Sequence, residues 1–198
     1  MLSAIIATRD SEQTLVRTLA ALVPGATSGV LREVIVADAG SRDATAEVAD
    51  FAGCRFIAAP APLGERLRAA AATARSPWLL FLRAGAVPGE SWIGAVESFI
   101  ATAERLNRAN RVATFRRDGH GGLERPGFGE IVALLRLMLG GVAHPEQGLL
   151  IGRRFYESIG GHPAGDDADA ALLRRIGSRR LALLPCSMAP PPPRRYLT

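Results

Sequence analysis

The chain contains no lysine, and all 24 of its basic residues are arginine. An arginine-only basic set reads first as the mark of a GC-rich, bacterial genome. It also supplies planar guanidinium forks, which suit phosphate. Cysteine is scarce: Cys54 and Cys186 stand apart and neither lies in a CxxC pair. That excludes a zinc or dithiol motif and reads as two buried thiols in a cytoplasmic protein. Aromatics make up only 6% of the chain. The arginines come as singles and pairs, not as a stripe interleaved with aromatic rings, so nucleic acid is excluded as a partner. No run reaches the ~18–20 apolar residues of a membrane span. The nearest, 131–142, is broken by Arg136 and by Gly140 and Gly141. No basic segment precedes the first apolar run, so no signal peptide is expected. Glycine is missing where several nucleotide folds need it: the first strand is followed by Thr8-Arg9-Asp10-Ser11. This excludes a GxGxxG fingerprint and a P-loop, and no GxSxG elbow occurs anywhere.

What is present is the composition of one globular domain: 198 residues, 48% hydrophobic and 22% charged, with a net charge of +5. The positive balance allows anionic partners such as a nucleotide diphosphate or a membrane surface. The first half alternates strand and helix signals. Apolar runs at 2–7, 33–37, 54–58 and 78–82 predict strands. Between them, apolar residues at helical spacing predict helices. Asp10 with Gln13 reads as the start of the first helix and Pro24-Gly25 as its end. Ser91 starts a helix running to about 107, and helices are expected at 65–75, 129–140, 153–159 and 168–176. Strands are expected at 112–115, 148–151 and 181–184, with a glycine-rich loop at 117–129. The pattern predicts an α/β domain over 1–187, a mostly parallel sheet with helices on both faces, and a Pro-rich, disordered tail over 188–198.

In such sheets ligands bind where strands end at their carboxyl edge. Thr8 to Asp10, Asp38 to Asp43, 59–64 and Arg83 to Pro88 are therefore the positions of interest. Asp38 ends the second strand before a Gly40-Ser41 turn, and a carboxylate there can accept hydrogen bonds from a base or a ribose. Asp43 reads instead as a group favouring the N-terminus of the next helix. His120, His144 and His162 lack ligand spacing. Trp78 and Trp92 read as core.

The segment Val34-Ile35-Val36-Ala37-Asp38-Ala39-Gly40-Ser41-Arg42-Asp43-Ala44-Thr45 resembles the V-I-V-V-D-D/G-G-S-T-D-G-T motif of family 2 glycosyltransferases of the GT-A fold. Leu79 to Pro88 resembles the L-L-F-L-H-A-D-T-x-L-P stretch of a small bacterial branch. Glu146-Gln147-Gly148 and Gly160-Gly161 resemble that branch's D-Q-G and G-G-F. The likeness covers about 1–185.

The resemblance implies a protein that transfers a sugar from a UDP- or GDP-type nucleotide-sugar donor to an unknown acceptor hydroxyl. It assigns the nucleotide to Thr8, Asp10 and Asp38, and a substrate contact to Gln147. It assigns the base to Asp169, or to Asp167 or Asp166 with a shifted register. Where the family holds a divalent metal on carboxylates, this chain has Arg83 and Gly85. No metal or other cofactor is therefore expected, because those side chains cannot build an oxygen site. Arg83 either stabilises the leaving phosphate in the metal's stead or is a solvated turn residue in an inactive relative that binds a nucleotide sugar or a protein. Arg66 and Arg68 either reach the diphosphate or form a solvated helix face. A cytoplasmic location is expected, with room for peripheral contact with the inner membrane.

Overall fold

The structure, a computed structural model, describes residues 1–108, 110–117 and 147–191. The first half holds β1 (Leu2–Thr8), α1 (Glu12–Thr27), β2 (Leu31–Asp38), α2 (Thr45–Phe51), β3 (Arg55–Ala58), α3 (Leu63–Thr73) and β4 (Trp78–Arg83). There follow β5 (Val87–Pro88), α4 (Trp92–Arg105), β6 (Val112–Arg117), β7 (Leu149–Gly152), α5 (Arg153–Ser158), α6 (Ala168–Ile176) and β8 (Leu181–Ala189). The strands form one sheet in the order β3-β2-β1-β4-β7-β6-β8-β5. β1 pairs in parallel with β2 and β4, β2 with β3, and β6 with β8. β7 runs antiparallel between β4 and β6, and β5 antiparallel to β8.

All seven residues of β1 are buried, as a central strand covered on both faces requires. Its side chains alternate between two cores. Leu2, Ala4 and Ile6 join Leu15 and Leu22 of α1 and Trp92 and Val96 of α4. Ile5 and Ala7 join Leu67 of α3, Tyr156 of α5 and Leu172 of α6. The parallel pairs bring the carboxyl ends of β1, β2 and β4 to one edge, where Thr8, Asp38 and Arg83 emerge side by side.

Several boundaries differ from the sequence expectation. Helix α1 does not stop at Pro24-Gly25 but continues to Thr27. Leu15, Thr18, Leu22 and Gly25 form one buried stripe, and the packing of that face outweighs the bond lost at proline. Gly25 is part of the reason: a Cβ there would stand 2.4 Å from the Trp92 ring. Asp10 is not the cap of α1. Ser11 holds that position without a side-chain bond. The free N–H groups of Ser11 and Glu12 reach instead to Thr45 Oγ1 (2.9 Å) and Asp43 Oδ2 (3.0 Å). Helix α3 starts two residues earlier than expected, at Leu63. β8 runs to Ala189, with Met188 buried, so residues 188 and 189 belong to the sheet and not to the tail.

Cys186 is buried but Cys54 only half-buried, and burial pushes both free thiols up to about 11. Trp78 and Trp92 are core residues. Among the described residues no helix is long and apolar enough to cross a membrane. Beyond residue 117, the expected loop at 117–129 lies outside the described residues, as do the helix at 129–140, the apolar run at 131–142, His120, His144, Glu146 and the tail after 191.

Candidate functional site

Thr8 and Asp38 sit side by side where β1 and β2 end, 3% and 1% exposed. The Asp38 carboxylate already has four donors. Oδ1 accepts from the hydroxyls of Thr8 (2.7 Å) and Ser41, and Oδ2 accepts from the N–H groups of Gly40 and Ser41, both at 2.7 Å. Burial would raise its pKa, but these hydrogen bonds outweigh it and hold the group below the usual carboxylate range. In this arrangement Asp38 shapes the 39–43 turn rather than facing outward with a free acceptor. Asp10 is the exposed member of the trio. Its φ of 45° turns the chain sharply, and its carboxylate accepts from the N–H of Arg42 at 2.9 Å. Asp43 caps α1 and also receives the Thr45 N–H at the start of α2 (3.1 Å).

Asp38, Asp43 and Asp169 all titrate lower in the fold than when free. Each adds stability that is complete above the unfolded-state value of about 4 and is lost as pH falls through the lower folded value. Asp38→Asn is therefore expected to cost about 2–3 kcal/mol at neutral pH. The deficit should shrink at acid pH, as wild-type Asp38 loses its charge on passing through its lowered folded value. Urea unfolding at neutral and acid pH measures this; a deficit independent of pH would contradict it.

Arg66 is not on a solvated face. It is 8% exposed, and its Nη1 donates to the carbonyls of Ala37 (2.6 Å) and Thr8 (3.3 Å), while Nε donates to Ala61 O (3.0 Å). It thus fastens the ends of β1 and β2 from within. Burial lowers its pKa, Asp38 opposes that shift, and the charges of Arg83 and Arg9 add to it. Guanidinium groups and carboxylates thus lie side by side at this edge of the sheet. Arg68, by contrast, is exposed and donates to His162 O at 3.2 Å.

Arg83 points across the sheet edge, not into solvent. Its Nη2 and Nε both donate to Asp169 Oδ2, at 2.6 and 3.2 Å. The two residues line one small pocket with Thr114, Gly148 and Leu149. Thr114 is 1% exposed, and among the described residues its hydroxyl has no hydrogen-bond partner. Of the three candidate acids, only Asp169 enters this pocket. Asp167 is exposed and pairs with Arg174 at 3.0 Å. Asp166 receives the Leu63 N–H at 3.1 Å and so caps α3. Gln147 donates to Phe115 O at 2.9 Å, beside the pocket residue Gly148.

The other oxygen of Asp169 faces His162, a residue the sequence reading left aside. Its side chain is 1% exposed and its Nε2 lies 3.2 Å from Asp169 Oδ1. That is near enough for attraction but short of a well-formed hydrogen bond, and Nε2 has no other partner among the described residues. On the far side, Nδ1 meets the Tyr156 hydroxyl at 2.7 Å, and that hydroxyl accepts the His162 N–H at 3.1 Å. The carboxylate facing Nε2 favours the imidazole proton on that nitrogen, and the Tyr156 O–H then donates to Nδ1. A double glycine makes the arrangement possible. Gly160 and Gly161 both have positive φ, and a Cβ on Gly161 would stand 2.9 Å from the Tyr156 ring. The legible signal was the histidine in place of the aromatic residue after Gly160-Gly161. Burial raises the Asp169 pKa, but His162 and Arg83 outweigh it and hold the carboxylate below its ordinary value.

The divalent metal implied by the resemblance does not fit these residues. The strand-end positions offer a guanidinium and a glycine, and the nearby carboxylate is already bound to that guanidinium. Cations of this class need several oxygen ligands. Gly85 has φ of 94°, a conformation L side chains rarely adopt, and its N–H is held by Thr18 Oγ1 at 2.8 Å.

A model of the family described as glycosyl transferase family 2 matches residues 3–147. The chain belongs to glycosyltransferase family 2. No curated protein matches this glycosyltransferase chain. Among solved structures, it is similar to Staphylococcus aureus TarS 1–349, at 14% identity and a TM-score of 0.73, covering 96% of this chain and 60% of that one. It is also similar to glucosyl-3-phosphoglycerate synthase from Mycobacterium tuberculosis, at 21% identity and a TM-score of 0.69, covering 98% of this chain and 72% of that one. The glycosyltransferase chain thus spans 60% of the length of the TarS fragment. At these identities the likeness establishes the GT-A, Rossmann-like fold.

Proposed function

We propose that this chain is an inverting glycosyltransferase that moves a sugar from a UDP- or GDP-type donor to an acceptor hydroxyl, with Arg83 standing where the resembled branch holds a metal. One observation carries the reading: a guanidinium from the end of β4 and a carboxylate from the first turn of α6 meet over one pocket at the carboxyl edge of the sheet. In the reaction the acceptor oxygen attacks the anomeric carbon. The bond from that carbon to the diphosphate breaks, its electron pair leaves with the phosphate, and the hydroxyl proton passes to Asp169. Arg83, with Arg66 behind it, offsets the charge that develops on the diphosphate. Attack opposite the leaving group inverts the centre. Thr8, Asp38 and Asp10 shape the turn that receives the nucleotide, and Gln147 borders the acceptor side.

The similar structures support the donor class. TarS was solved with UDP-GlcNAc, and the mycobacterial synthase with Mn2+, UDP-glucose and phosphoglyceric acid. The positive net charge supports peripheral contact with an anionic membrane surface. A second reading, a non-catalytic nucleotide-sugar or protein-binding module, draws on Asp38 having all its acceptor positions filled and on Arg83 already being paired.

A thermal-shift titration with UDP, GDP and their sugars, with and without manganese, separates the two. A metal-independent rise in melting temperature for one nucleotide, followed by sugar transfer in a coupled assay, is the expected result. Binding without transfer to any acceptor hydroxyl would favour the binding module. No shift with any nucleotide would remove the donor site altogether.

A further inference from the structure

Asp169 is held from two sides by unequal bonds. Arg83 puts two N–H groups on Oδ2, at 2.6 and 3.2 Å, from a side chain that is 37% exposed. His162 approaches Oδ1 from a buried position at 3.2 Å, short of a well-formed hydrogen bond, and its Nε2–H has no other partner among the described residues. The exposed bond is the shorter, and the buried one is left incomplete. A buried donor without an acceptor is costly, so the carboxylate sits where Arg83 draws it rather than where His162 would have it.

Arg83 has a better partner available when a donor sugar binds. A diphosphate carries more charge than a carboxylate and accepts a guanidinium fork equally well. Resting on the transferase reading above, we propose that the donor diphosphate takes Arg83 from Asp169, that Asp169 then turns onto His162 Nε2–H, and that His162, fixed by Tyr156, is the residue that positions the base.

The consequence is a coupling between donor and base. With Arg83 on Asp169 the pair lines the pocket, and the carboxylate is a weak proton acceptor because a guanidinium neutralises it. Once the diphosphate engages Arg83, the carboxylate loses that partner and its proton affinity rises. The base is thereby readied only when a leaving group is in place. His162 keeps the carboxylate aimed during the exchange. Its ring is locked by Tyr156 on Nδ1 and by the edge-on contact with Phe81, centroid to centroid 4.6 Å. Tyr156 and Phe81 are themselves buried in the α3/α6-side core, so the support does not move with the ligand.

The test is a double-mutant cycle on nucleoside diphosphate binding, read by titration calorimetry with UDP and GDP and no metal. Asp169→Asn removes the competing charge and is expected to tighten binding by about fivefold to tenfold. In an Arg83→Ala background that gain should vanish, since the competition runs through the guanidinium. A gain that persists without Arg83 would mean general charge repulsion and would overturn the exchange. No gain at all, with the wild type still binding, would overturn it too while leaving the transferase reading intact. Absence of binding in every protein would overturn both.

Wild-type protein supplies a measurement that needs no variant. Nitrogen NMR of His162 is expected to show the Nε2–H tautomer before ligand, and that proton should move downfield when the diphosphate is added. An unmoved signal under saturating nucleotide would contradict the turn of Asp169. For the positioning role, His162→Gln keeps a donor towards Asp169 and His162→Phe does not. Turnover should fall about tenfold or more in the second with little change in donor KM, and the first should recover part of it. Equal loss in both would mark His162 as structural only.

Discussion

Arg83→Ala is expected to lower sugar transfer by two to three orders of magnitude, roughly the cost of removing one preorganised donor from a developing anion. The loss should fall on turnover more than on acceptor affinity, because Arg83 acts on charge that grows as the diphosphate leaves. The fold should survive. Arg83 is 37% exposed, and Asp169 retains His162 and partial contact with solvent. Steady-state kinetics with the donor identified by thermal shift, alongside circular dichroism, makes the measurement. Turnover within a factor of about three of wild type would rule out a role for the guanidinium at the leaving group. Arg83→Lys should recover only part of the rate. A lysine restores the charge but not the two N–H groups on one face that a phosphate accepts side by side.

The second large effect is structural. Gly64 lies in the first turn of α3, where a Cβ would stand 1.7 Å from Pro163 O and 2.8 Å from the Ala168 Cβ. The first of these is a collision with backbone, which no rotamer change relieves. The Gly64 N–H also donates to Gly165 O at 3.0 Å, so the two segments are held in contact on purpose of their own hydrogen bonds. Gly64→Ala is expected to cost about 3 kcal/mol or more, a fall in melting temperature of roughly 6–12 °C for a chain of this length. Differential scanning calorimetry tests it. Because segment 163–169 carries both Asp166 and Asp169, the same variant should lose turnover even at temperatures where it remains folded. A melting temperature unchanged within about 2 °C would show that the two segments separate at little cost.

The first half of the fold was readable because its signals agree with one another. The β-branched run at 33–37 and the apolar runs at 2–7 and 78–82 are each followed by polar turn residues, so strand and strand end coincide. Where the reading failed, a distant partner had overridden a local signal. Pro24 looks like a stop, yet Trp92 packs against Gly25 from another helix and the turn continues. Asp10 looks like a cap, yet Asp43 reaches over from the next loop to serve α1. β8 passes through Pro185 because it is held by β6 on one side and β5 on the other.

The candidate site shows the same division. That Arg83 and Asp38 would lie at the carboxyl edge follows from strand order alone. That Asp38 would be consumed by its own turn does not, since its donors include the backbone of Gly40 and Ser41. That Asp169 rather than Asp167 faces the pocket was open in sequence, because a shift of two residues on a helix turns a side chain to the opposite face. Tyr156 and His162 were illegible as a pair. Their meeting depends on two consecutive glycines with positive φ, and six residues of separation carry no periodic signal for that.

The conformation at Gly85 has a further meaning for the history open to this sequence. A glycine codon ending in a pyrimidine becomes an aspartate codon by one base change, so in the code the carboxylate of the resembled branch lies close to glycine. The backbone does not follow. At φ of 94°, with its N–H tied to Thr18 in the buried face of α1, position 85 would accept that aspartate only under strain, and its neighbour two residues back would still present a positive charge to any arriving cation. Arg83, Gly85 and the turn that holds them would have to change together. The genetic code leaves the door ajar, and the peptide geometry closes it.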